Sequence, residues 1–168
     1  MKKIISTLLV AFITIGAFAQ KCKFDIDKKD AFTGKQTKGI SAVLNKSWMV
    51  GFNRSDNAYT VGLLMEFPGA KRDVLSKGDT LMLALDGASP IVLTALENSS
   101  PTARVVDNYG GILSSYHVQY AISPEQMKVL AQKKCTAARV YFGATYFSLD
   151  VPEKNGQRVI EAANCITQ

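Results

Sequence analysis

The sequence predicts an α+β fold. A predominantly antiparallel β-sheet forms a sandwich or roll, with one helix between late strands and one C-terminal helix. Three observations carry this. Short alternating apolar runs are joined by tight-turn signals such as Asp86-Gly87, which implies antiparallel pairing. Residues 115–122 alternate cleanly, with Tyr116, Val118, Tyr120 and Ile122 on one face and Ser115, His117, Gln119 and Ala121 on the other. Ser123, Pro124 and Gln126 then supply an N-cap, a first-turn proline and a capping box.

The elements follow in order. Phe24 and Ile26 alternate with charges, as in a short strand, and Thr33-Gly34-Lys35 reads as a turn. Residues 41–53 carry Val43, Leu44, Trp48, Val50 and Phe52, enough for one or two strands. The cluster 54–57 is a turn, and residues 59–67 form a well-buried strand that Pro68-Gly69 ends. Lys77-Gly78-Asp79 turns into a strand at 80–85, which returns through Asp86-Gly87 as 91–96. A short strand is expected at 102–106 and a loop at 108–111. After the capped helix, Lys133 and Lys134 suit the negative end of its dipole. Strands at 138–142 and 146–151 flank Gly143-Ala144. Val159, Ala162, Ala163 and Ile166 mark a closing helix despite Gly156.

The chain has 168 residues, 47% hydrophobic and 20% charged, which suits a folded domain and excludes a disordered one. Residues 1–19 differ from the rest. Lys2 and Lys3 precede an apolar run that ends in Ala17-Phe18-Ala19, the three-part pattern of a signal peptide. The expectation is therefore a cleaved leader at 1–19 and a single α+β domain at 20–168 with a basic N-terminal arm at 21–38. The protein would be periplasmic or secreted, with no transmembrane anchor after signal cleavage. The leader holds two of the 20 basic residues and none of the 14 acidic ones, so +4 remains. Most of that excess lies in the arm, where Lys alternates with Asp. This is not the clustered Arg and Lys of a nucleic-acid surface.

Export lets cysteines pair, and three remain: Cys22, Cys135 and Cys165. Domain termini often lie close together, which favours Cys22–Cys165. Cys135–Cys165 is the rival pairing. No CxxC spacing is present, so redox catalysis and structural zinc have little support.

Catalytic signatures are sparse. With His117 as the single histidine, HExxH zinc chemistry is excluded. A serine triad would need His117 as its base, yet no GxSxG elbow exists, and His117 falls on the polar face of its strand. Glu66 stands in an apolar strand, where burial would raise its pKa, but a solvent-facing position near the strand end is expected. Asp25, Asp27 and Asp30 faintly resemble a calcium loop without its central glycine and final glutamate. Gly34-Lys35 lacks the upstream glycine of a phosphate loop. No cofactor or metal is read from the chain. The more promising material is aromatic: Trp48, Tyr59, Tyr109, Tyr116, Tyr120, Tyr141 and Tyr146 include candidates for an exposed platform, although most are expected in the sheet core.

Three stretches together carry a resemblance. They are Cys22-Lys23-Phe24 leading to Asp30-Ala31-Phe32-Thr33-Gly34-Lys35; Lys77-Gly78-Asp79 with Asp86-Gly87; and Tyr120-Ala121-Ile122-Ser123-Pro124-Glu125-Gln126 with Ala138-Arg139-Val140 and Ala162-Ala163-Asn164-Cys165-Ile166. The chain resembles a loose group of small exported bacterial proteins of uncharacterised function. The resemblance implies a single domain and a role for Cys22 and Cys165, and it brings no catalytic residue, cofactor or substrate. The function expected is an exported non-enzymatic module that binds a protein, glycan or small ligand. The alternative is a hydrolase of envelope or extracellular polymers that uses carboxylates.

Overall fold

The computed structural model describes residues 22–106 and 111–168. The leader at 1–19, Tyr109 and most of the loop at 108–111 lie outside the described residues. The element order is β1 (Ile26–Lys29), β2 (Gln36–Val43), β3 (Trp48–Ser55), β4 (Ala58–Pro68), β5 (Thr80–Leu85), β6 (Ala88–Thr94), β7 (Thr102–Val105), β8 (Ile112–Ile122), α1 (Pro124–Leu130), β9 (Cys135–Phe142), β10 (Thr145–Asp150) and α2 (Glu153–Thr167). The fold is α+β, as the turn and cap signals imply.

Tight turns build the sheets. Gly34, Gly87 and Gly143 each hold a positive φ where a hairpin reverses, a conformation that glycine adopts without steric penalty. Every pairing between strands is antiparallel. One sheet has the order β1-β2-β3-β4-β8-β7 and the other β10-β9-β5-β6. The two meet where Ala95, just past β6, bridges Tyr120 and the Leu96 N–H donates to the Gln119 carbonyl. The result is a curled half-barrel. Its open side is filled by α2, which lies against β2, β3 and β9.

Alternation sends Val50, Phe52, Val61, Leu63, Leu81, Leu83, Tyr116, Val118, Tyr120 and Val140 into one shared core. Helix α1 starts as its sequence dictates. The Ser123 hydroxyl accepts from the Gln126 N–H, and the Gln126 side chain accepts from the Ser123 N–H. Its end differs from expectation, because Lys133 and Lys134 lie beyond the last turn. The Lys134 carbonyl accepts from the Asp86 N–H and its ammonium sits 2.8 Å from Glu153, so tertiary partners pull the chain out of the helix. Helix α2 tolerates Gly156 because its backbone packs directly on the Cys135 carbonyl, where a Cβ would collide.

The basic arm is part of the sheet: β1 pairs with β2. Cys22 and Cys165 form a disulfide that ties this edge to α2, with Cα atoms 5.5 Å apart and 143 residues between them. Cys135 is free and buried. Among the described residues, no helix is long and apolar enough to cross a membrane.

A candidate binding platform on the four-stranded sheet

The structure sorts the aromatic residues into two groups. Trp48, Tyr116 and Tyr120 are core residues, and Tyr59 is half-buried beneath the Arg54 guanidinium at 5.8 Å. Tyr141 and Tyr146 point outward. The two-residue Gly143-Ala144 turn pairs Phe142 with Thr145 and therefore Tyr141 with Tyr146. Alternation then puts Arg139, Tyr141, Tyr146 and Ser148 on the outer face of the β9–β10 hairpin, while Val140, Phe142, Phe147 and Leu149 face inward.

These outer groups hold one another in place. The Tyr141 and Tyr146 rings lie 5.7 Å apart and tilted at 51°. The Arg139 guanidinium sits 4.4 Å from the Tyr146 ring centroid, and its Nε donates to Ser148 Oγ at 2.9 Å. A hydrogen bond with Tyr141, and the nearby tyrosine oxygens, hold the Arg139 pKa above its ordinary value. The charge at this site is therefore permanent. Tyr146 remains 54% exposed, with Arg139 over its ring.

Hollows flank this ridge on both sides. One, of about 210 Å³, has the directly paired Ala84 and Ala137 as its floor and Met82, Pro90, Arg139, Ser148 and Asp150 around its rim. The other, of about 310 Å³, lies between Tyr141, Met82, Thr80 and Asp79. Asp79 is fixed by the N–H groups of Ser76 and Gly143. The surface thus offers an exposed aromatic residue, a permanent cation and separate carboxylates around shallow apolar floors. That combination can stack a flat apolar face and hydrogen-bond the hydroxyls at its edge.

The other candidates are dispersed. His117 is exposed on the outer face of the six-stranded sheet, beside a trough where Gly51 and Gly62 face each other. Glu66 is part-exposed and is bound to Arg104 at 2.8 Å. Asp25 accepts from the Ser41 N–H and hydroxyl, and Asp27 from Gln36. Asp30 accepts from the Thr33 and Phe32 N–H groups, which lower its pKa below the usual value. Each arm aspartate thus serves its own local turn or strand. Among the described residues, no three His, Cys, Asp or Glu side chains converge as metal ligands. The five hollows described each hold at most one acidic side chain, Asp56, Asp150, Glu161 or Asp79, so none of these five brings two carboxylates together.

Arg139, Ser148, Asp150, Met82, Ala84 and Pro90 were not among the sequence candidates. The signal for the first two is present: strict alternation on both sides of a two-residue turn places them on the tyrosine face. Neither family models, curated proteins nor solved structures give a match to the chain.

Proposed function

We propose that this protein is an exported, non-enzymatic module that binds a saccharide on the Tyr146–Arg139 platform. The observation that carries this reading is the exposed Tyr146, with Arg139 over its ring and bordered by Ser148 and Asp150. A pyranose presents C–H groups on one face and hydroxyls around its edge, which complements an aromatic ring with polar neighbours. The export half of the proposal is supported by the leader pattern at 1–19, the resemblance to small exported proteins, and a disulfide that an oxidising compartment maintains.

A ligand that binds only the folded chain raises its melting temperature. The test is a thermal-shift and calorimetric panel of oligosaccharides of glucose, N-acetylglucosamine and galacturonic acid. At least one class is expected to bind, and Tyr146→Ala is expected to weaken that binding by about tenfold or more while the fold persists. No binding across the panel at millimolar concentration, or binding unchanged by Tyr146→Ala, would overturn the reading.

A further inference from the structure

Each open sheet ends in strands with one row of backbone groups unpaired, an invitation to further pairing that folded proteins normally block. Four strands here have such a side, and three of them carry a block. β1 is four residues long and bears Asp27, Lys28 and Lys29. β7 is also four residues long and bears Arg104. β6 has Pro90 in its middle, its pairing with β5 shifts register at Leu83/Leu85, and its end is taken up by β8. β10 has only one charge, Asp150 at its end, and none of the other devices. Its sequence is Thr-Tyr-Phe-Ser-Leu-Asp, with no lysine, arginine, proline or bulge, and five of its six residues are exposed.

The direction of its free hydrogen bonds is fixed. The Val151 N–H donates to the Thr136 carbonyl at 2.8 Å, and Thr145 is paired with Phe142 at the turn. Residues 145, 147, 149 and 151 therefore bond to β9. Tyr146, Ser148 and Asp150 direct their N–H and C=O groups away from the sheet.

We propose that β10 pairs with β10 of a second copy of this chain, antiparallel and about a two-fold axis, which joins two four-stranded sheets into one. The strand's own sequence names the occupant. With the axis at Ser148, the inner face sets Phe147 of each copy against Leu149 of the other, the closely spaced kind of cross-strand pair. On the outer face Tyr146 meets Asp150, hydroxyl-bearing ring beside carboxylate, and Ser148 meets itself. Phe147 and Leu149 each face an apolar residue, and no like charges meet. The exposed part of Phe147, 38% of that residue, is covered in the process. A two-fold axis between the two β10 strands makes such an interface self-complementary and closed, so assembly stops at the dimer.

The test is light scattering after size exclusion, run on the disulfide-bonded chain over a wide concentration range with no saccharide present. Its outcome is therefore independent of saccharide binding. A concentration-dependent dimer is expected. Ser148→Pro removes an outward N–H while sparing every backbone bond to β9, though it gives up the Arg139 Nε contact to Ser148 Oγ, and proline is tolerated in that position of an edge strand. It is expected to raise the dimer dissociation constant by about a hundredfold or more. Ser148→Cys is expected to crosslink two chains under mild oxidation, since residues opposite each other in a hydrogen-bonded pair sit at about the 5.5 Å Cα separation of a disulfide. Tyr146→Cys, displaced from the axis, is not. A chain that stays monomeric throughout, or crosslinks equally through 146 and 148, overturns the proposal. Capture of a foreign extended peptide at this edge by a monomeric chain would do the same.

Discussion

Tyr141 and Phe142 are adjacent in the chain, as are Tyr146 and Phe147, yet each pair is divided between two environments. Phe142 and Phe147 join Phe67 and Tyr116 in a cluster of three edge-to-face contacts and one tilted one, with ring centroids 4.8–5.8 Å apart. Tyr141 and Tyr146 form the outward ridge with Arg139. Composition does not separate the two sets, since both are aromatic and both sit on β-strands. Strand parity does, because a period of two sends neighbours to opposite faces. Inner groups are thus committed to stability, and outer groups are left available for recognition. Four measurements break or sharpen that division.

The largest contrast is between Phe142→Ala and Tyr146→Ala. Phe142 is 8% exposed and touches two other rings, so its truncation leaves a cavity and is expected to cost about 3–5 kcal/mol. Tyr146→Ala removes only surface contacts and is expected to change stability by about 0.5 kcal/mol or less. Urea denaturation of both variants decides it, and equal losses would place Tyr146 in the core.

Next comes alkaline pH. Burial pushes the Cys135 thiol up from its ordinary value of 9.0 to about 11. Below pH 9 the thiol is neutral in both folded and unfolded chains and contributes no pH dependence. Between pH 9 and 11 the unfolded thiol ionises while the folded one resists, so stability falls as pH rises through that window. Two pH units correspond to about 2–3 kcal/mol. Cys135→Ala should reduce the slope most clearly between pH 9 and 10, because above pH 10 the buried Tyr116 and Tyr120 hydroxyls, whose pKa values burial also raises, add a slope of the same sign. Identical slopes for the two proteins would mean that the thiol is not in an apolar interior.

The same division separates glycines. At Gly156 a Cβ would strike the Cys135 carbonyl and approach Lys134 Cγ to 2.7 Å. Overpacking of this kind costs about 1–3 kcal/mol, which exceeds the roughly 1 kcal/mol that alanine gains over glycine in a helix. Gly156→Ala is therefore expected to destabilise. At Gly51, on the outer face, the nearest atom to an added Cβ is 3.9 Å away, so Gly51→Ala should be neutral or stabilise by about 0.5–1 kcal/mol. Opposite signs in thermal melts would support the contrast, and matching signs would remove it.

Local chemistry was legible in the sequence. Asp86-Gly87 and Gly143-Ala144 located hairpins, Ser123 with Gln126 located a capping box, and alternation at 115–122 sorted β8 correctly into faces. What was not legible depends on distant partners. Nothing local says that β8 lies beside β4, or that β5 separates β6 from β9. The platform divides along the same line. Tyr141, Tyr146, Arg139 and Ser148 follow from one hairpin. Met82, Ala84 and Pro90 arrive from a hairpin some fifty residues earlier, and only the packing of β5 on β9 brings them there. The end of α1 escaped prediction for the same reason, since the partners that end it belong to β5's turn and to α2.

The smallest effect tests the inner set most directly, because its expected sign is favourable. Tyr116 and Tyr120 stand on the same face of β8, both fully buried. The Tyr116 hydroxyl donates to the Asp73 carbonyl at 2.8 Å. The Tyr120 hydroxyl is buried with no hydrogen-bond partner among the described residues, and burial raises its pKa strongly. An unsatisfied buried hydroxyl costs about 1–3 kcal/mol, whereas losing a satisfied one costs about 1 kcal/mol. Tyr120→Phe keeps the ring and removes the orphan oxygen, so it is expected to stabilise the fold by about 1 kcal/mol. Tyr116→Phe is expected to destabilise it by a similar amount. A loss of stability in both variants would show that the Tyr120 oxygen has a partner, the natural one being a buried water. The inner face of β8 would then be partly wet, and the division between a dry interior and a polar exterior would fail at its centre.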